Sequence, residues 1–156
     1  GPERGATGRV PAGLRIIHAL IMTALLIVAH APLASALAAV ARHPGLHPEA
    51  VIEAIDVPPQ LRGPDEVCAL VRAALLRMGQ PQVLVLTDVY AASPCNGALL
   101  AVEGIGVRVV SGVNVPMLWK AVGRIGEPLE QLTAAVVAAG QQGVMPLPAA
   151  GQLPSP

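Results

Sequence analysis

The chain has no phenylalanine, one tyrosine (Tyr90) and one tryptophan (Trp119), so aromatic rings cannot build its interior. Apolar residues still make up 53% of the 156 residues. The core must therefore be assembled from Leu, Val, Ile and Ala, a composition suited to helices covering a parallel sheet. Cysteine is scarce as well. Cys68 and Cys95 are too few for a disulfide framework, have no metal-ligand spacing and fit a reducing compartment. Net charge is lacking: Lys+Arg and Asp+Glu balance at 10 each, which leaves no basic stripe for nucleic acid or for an anionic membrane. The glycines at 104, 106, 112 and 123 form neither a dinucleotide fingerprint nor a Walker loop. No G-x-S-x-G elbow and no internal repeat is present. The length is that of one ordinary domain.

One long hydrophobic run does exist. From Ile16 to Ala41 the chain is nearly all apolar, and Ala34-Ser35-Ala36 has the look of a signal-peptidase site. A membrane helix or signal peptide is the rival reading. Against it, His18 and His30 lie inside the run, Pro32 interrupts it, and no Lys/Arg cluster follows Met22. The run instead divides into strand, turn and helix, so no direct membrane insertion is expected, and the protein is placed in the cytoplasm. Gly1-Pro2 reads as the scar of a cleaved tag, and residues 3–13 show no period. Residues 1–21 are therefore expected to be a disordered leader, tag-derived or an upstream extension, with Met22 a candidate natural start. The working domain is 22–146, and the Pro/Gly/Ala-rich stretch 147–156 reads as a disordered tail.

Within the domain, strands are expected at Thr23–Ala29, Val51–Val57, Val83–Thr87 and Gly106–Val110. Helices should run over Leu33–Arg42, Pro64–Met78, Ser93 to about Val102, Pro116 to near Gly123, and Pro128–Ala139 with Gly140 at its end. The clearest is Pro64–Met78, where Val67, Leu70, Val71, Ala74, Leu75 and Met78 follow helical spacing. Alternation of this kind predicts a doubly wound, mainly parallel four-stranded sheet with helices on both faces, and with room for an extra C-terminal edge strand. Right-handed crossovers bring every strand's carboxyl end to one rim, where ligands bind in such folds.

That rim gathers the candidate chemistry. His30 closes the first strand and Asp88 follows the third. A carboxylate on Nδ1–H would fix the imidazole tautomer and leave Nε2 as a nucleophile. The plainer reading is a histidine at a strand end and a solvated turn aspartate. Ser93-Pro94-Cys95-Asn96 opens a helix, so the Cys95 and Asn96 amides should be unpaired donors for an anion. Ser93 either caps that helix or gives its hydroxyl to a phosphate oxygen, and Asn114 has the same two readings at the next junction. A cysteine hydrolase using Cys95 with His30 and Asp88 is the competing enzyme class. Cys68 reads as packing, and His18, His43 and His47 as solvated residues of leader or loops.

Three segments resemble the signatures of the mannose-family IIA components of the phosphoenolpyruvate-dependent sugar phosphotransferase system. Leu26-Ile27-Val28-Ala29-His30-Ala31-Pro32-Leu33-Ala34 resembles that family's strand–histidine–turn opening. The run Leu86-Thr87-Asp88-Val89-Tyr90-Ala91-Ala92-Ser93-Pro94-Cys95-Asn96 is similar to its Asp-hydrophobic-aromatic-Gly-Gly-Ser-Pro-x-Asn loop. Val110-Ser111-Gly112-Val113-Asn114-Val115-Pro116-Met117-Leu118 is similar to its Gly-hydrophobic-Asn-hydrophobic-Pro-Met segment.

The resemblance implies a phosphotransferase component that accepts a phosphoryl group on His30 from the phosphocarrier protein HPr and passes it to a IIB domain. It implies no cofactor and no metal. Asp88 would orient His30, and Ser93, Cys95 and Asn96 would hold the phosphate. Ala31, Ala91, Ala92 and Asn114 would shape the supporting loops. A homodimer joined through C-terminal segments is also implied. The family's Gly-Gly is here Ala91-Ala92, and its glycine after the histidine is Ala31; alanine disfavours positive φ, which predicts an altered loop. A regulatory module of the same fold, or an interaction domain with a decayed site, are the alternatives.

Overall fold

The computed structural model describes residues 9, 11–14, 22–43, 47–61, 63–102, 104, 106–149, 151 and 153–155. Four strands, β1 (Ala24–His30), β2 (Ile52–Val57), β3 (Val83–Thr87) and β4 (Val107–Val110), form one sheet in the order β2-β1-β3-β4. All three pairings are parallel, with Val28 beside both Ile55 and Thr87. A C-terminal strand is not found among the described residues. Five helices pack on the sheet: α1 (Leu33–Arg42), α2 (Pro64–Met78), α3 (Ser93–Ala101), α4 (Val115–Gly123) and α5 (Leu129–Gln142).

The uninterrupted apolar run of β1 follows from its central place. Leu25, Ile27 and Ala29 point into a cluster with α1, α4 and α5, while Leu26 and Val28 join Val67, Val71 and Ala98 of α2 and α3 on the opposite face. With water excluded from both faces, period-2 alternation has no reason to appear. The edge strand β4 is only half-buried. Among the described residues no helix is long and apolar enough to cross a membrane, and the hydrophobic run's described part is β1, a turn and α1.

Local signals set most boundaries. Helix α2 opens at Pro64 after Gly63, carries Asp65 and Glu66 in its first turn, and stops at Gly79 in the left-handed conformation, φ 58°. Its buried face holds Cys68 as expected, but Leu70 is 42% exposed. Helix α5 passes through Gly140 and ends at Gln142. Gly140 is there to be small: a Cβ would lie 2.6 Å from Met117 Cγ. Of the expected leader only 9 and 11–14 are described, with 12–14 helical; the rest of it, His18 included, lies outside the described residues. His43 is exposed, whereas His47 is half-buried with Nδ1 3.4 Å from Glu49 Oε1, so the expectation of a solvated His47 is not met.

Candidate functional site

The chain order β1, β2, then a crossover to β3 on the other side of β1 makes the β1/β3 boundary the switch point of the sheet. Crevices at such points open at the strands' carboxyl ends. His30 ends β1 there, and Asp88 follows Thr87 at the end of β3.

The two side chains meet. His30 Nδ1 lies 2.7 Å from Asp88 Oδ2, and the same oxygen accepts the His30 amide at 3.0 Å. Asp88 Oδ1 accepts the Val89 amide at 2.9 Å. Partial burial works against the Asp88 carboxylate, yet the His30 amide, the imidazole and the Val89 amide outweigh it and hold the carboxyl below the usual aspartate range. An ionised carboxylate only accepts hydrogen bonds, so Nδ1 carries a proton, and in the neutral ring the lone pair is then on Nε2. The burial is asymmetric, with the Asp88 side chain 9% exposed and that of His30 54%. The carboxylate is anchored within the fold and the imidazole reaches solvent.

The neighbouring loops are tied to this pair. The Gly112 and Val113 amides donate to the Asp88 and Thr87 carbonyls at 3.1 and 3.0 Å, joining the β4–α4 loop to the β3–α3 loop. The Ala31 amide donates to Val57 O at 2.9 Å. Ala91 takes the left-handed conformation at φ 64° although it is not glycine, and Ala92 takes φ −79°. The left-handed conformation at Ala91 carries a conformational cost.

The expected phosphate cradle needs correction. Ala92, not Ser93, is the N-cap of α3, and no side chain caps the helix. The Asn96 amide is not a free donor: it is spent on Ala92 O at 2.9 Å, the first bond of the helix. Asn96 Nδ2 donates to Ala91 O at 3.0 Å, so this side chain braces the loop. Among the described residues, the amides of Ser93 and Cys95 and the Ser93 hydroxyl have no hydrogen-bond partner, and these three are the unpaired groups at the start of α3. The Cys95 residue is 3% exposed, which removes its thiol from any nucleophilic role. Asn114 caps α4, its Oδ1 accepting the Met117 amide at 3.1 Å and its Nδ2 donating to Gly140 O at 3.2 Å. Its role is to lock α4 to α5.

Sequence reasoning missed a second carboxylate at this rim. Asp56, one residue before the end of β2, binds Ser35 in the first turn of α1. The partners are 21 residues apart, and each alone has an unremarkable reading as a strand-end or early-helix residue.

Comparison with known proteins agrees with this architecture. A family profile described as PTS system fructose IIA component, EIIA-man, matches residues 24–137. The chain is similar to the solved mannose/sorbose specific IIA subunit of the phosphotransferase system from Enterococcus faecalis, at 26% identity and TM-score 0.71, over 85% of this chain and 99% of that one. It is also similar to phosphotransferase system component EIIA from Streptococcus agalactiae, at 26% identity and TM-score 0.66, over 80% of this chain and 97% of that one. The PTS IIA protein associated with the fucose utilization operon of Streptococcus pneumoniae shares the fold at 22% identity and TM-score 0.65, over 80% of this chain and 93% of that one. No curated protein sequence matches the chain.

Proposed function

Because the chain belongs to the family of PTS system fructose IIA components, and so is a component of a phosphotransferase system, we propose that it is a phosphohistidine carrier working through His30. The observation that carries the reading is the 2.7 Å contact of Nδ1 with Asp88, which directs the neutral ring's lone pair to Nε2 on a side chain that is 54% exposed. In the transfer, the Nε2 lone pair attacks the phosphorus of a phosphohistidine on HPr. The donor's P–N bond breaks, and its electron pair returns to the donor imidazole. The Nδ1 proton stays on His30, where Asp88 balances the charge gained by the ring. The phosphoryl oxygens meet the Ser93 hydroxyl and the Ser93 and Cys95 amides at the positive end of α3. A second in-line displacement passes the group to a IIB domain. Catalysis is positioning and charge stabilisation, with no cofactor.

In this reading the protein works in the cytoplasm as a homodimer, joined through its C-terminal segments. Removing the residues after Gly143 should then convert a dimer to a monomer in sedimentation equilibrium; an unchanged mass would rule that interface out. The decisive assay incubates the chain with phosphoenolpyruvate, enzyme I and HPr and follows intact mass. One acid-labile phosphate is expected on the wild type and none on His30→Ala. Equal labelling of both proteins would overturn the assignment.

A further inference from the structure

Asp56 stands beside Ala29 in the β1–β2 register, one strand over from the histidine. Its Oδ1 accepts the Ser35 amide at 3.0 Å and its Oδ2 accepts the Ser35 hydroxyl at 2.5 Å. The hydroxyl is also 3.2 Å from Pro32 O. One proton serves one acceptor at a time, and the shorter, charge-assisted contact takes it. The Ser35 hydroxyl, followed by its amide, outweighs slight desolvation and keeps the Asp56 carboxyl below the usual range.

This contact replaces a missing local cap. The first amides of a helix lack intrahelical acceptors. At the start of α1 the N-cap is Pro32, with no side-chain hydrogen bond, and no acidic residue lies in the first turn. A carboxylate from another strand therefore caps the helix. The position matters because α1 begins so soon after His30. The connecting turn is held at the His30 amide by Asp88, at the Ala31 amide by Val57 O, and at Ser35 by Asp56. Two of these restraints fix the strand side of the turn. Of these three, the Asp56 contact is the one on the helix side.

We propose that Asp56 and Ser35 are positioning residues for His30: they clamp the β1–α1 turn so that Nδ1 stays on Asp88 and Nε2 faces the incoming phosphoryl group. The proposal rests on His30 being the phosphoryl acceptor. A plain capping pair would support stability alone. A clamp also governs the ring.

The test uses the full chain, with ¹⁵N imidazole spectra and intact-mass time courses under potassium phosphoramidate, a small-molecule phosphoryl donor. Wild type should show a single Nδ1–H tautomer. Asp56→Ala should mix the tautomers and slow phosphorylation about tenfold at saturating donor, and Ser35→Ala about threefold, because small misplacements of a reacting group are costly. Ser35→Thr, which restores the hydroxyl, should return both readouts to wild type. Denaturation midpoints run in parallel ensure that rates compare folded proteins. A lower midpoint with unchanged tautomer and unchanged rate would overturn the clamp. Should Asp56→Ala fail to fold, the Ser35 pair of variants decides. If wild-type His30 takes phosphate neither from phosphoramidate nor from HPr, the carrier reading falls, while the tautomer comparison still decides whether the ring is clamped.

Discussion

Asp88 divides its oxygens between backbone and imidazole, and this division makes one residue both a structural and a chemical part. Since its folded-state pKa is depressed, the folded protein binds fewer protons than the unfolded chain near the carboxylate range. Its stabilising contribution is full at neutral pH and is lost as pH falls through that depressed value. Asp88→Asn should accordingly lower the urea midpoint at pH 7, and the gap to wild type should narrow as acid protonates the wild-type carboxyl. The same variant removes the negative charge that balances the ring and puts an NH2 where an oxygen accepted, which favours the wrong tautomer, so phosphorylation should slow by about 100-fold. Ala91 gives a prediction of opposite sign. A left-handed alanine costs about 1–2 kcal/mol, and a glycine there would give back about 0.4–1 kcal/mol through a freer unfolded chain. The strain is the larger effect, so Ala91→Gly should raise the thermal midpoint by a few degrees in calorimetry. An unchanged or lower midpoint would mean the loop bears no strain at φ 64°.

Among the elements, legibility followed how local the determining contacts are. Strand β1 and helix α2 could be read from composition, spacing and end signals because those signals lie within the segments themselves. His30 and Asp88 were legible for a similar reason: each sits at a strand's carboxyl end, and parallel topology brings such ends together. The N-cap of α3 was misplaced because Ser93 has the right side chain while the backbone starts the helix one residue earlier, at Ala92. Gly140 was misread because a glycine that ends a helix and one that admits a neighbour look alike in sequence. Asp56–Ser35 was invisible because its meaning depends on two elements packing. Gly97 belongs to the packing class too. A Cβ there would lie 2.4 Å from Val67 Cβ and 2.9 Å from Pro64 O. Gly97→Ala should cost about 1–3 kcal/mol by forcing α2 and α3 apart, measured by chemical denaturation. Val67→Gly, which removes the Cβ in the way, should cost less in the Gly97→Ala background than in the wild type, and strictly additive effects would disprove the close contact.

For the whole molecule, two apolar layers enclose the sheet, one under α1, α4 and α5 and the other under α2 and α3. Residues on the central strands are shielded from both sides, and Leu25 to Ala29 are fully buried. Amides of β1 and β3 should therefore exchange hydrogen only through global opening, while those of the edge strand β4 exchange sooner through local fraying. Mass-resolved exchange across the four strands checks this, and equal protection of β4 and β1 would contradict it. The pairing of β1 with β3 has a consequence for durability. The gap between the imidazole and its carboxylate is spanned by hydrogen-bonded neighbours in the middle of the sheet, with Val28 beside Thr87, rather than by two loops. Under the proposed carrier role, warming softens the rim and slows turnover long before it parts the two groups, and the competence to take up phosphate should vanish only at the temperature where the innermost strands come apart.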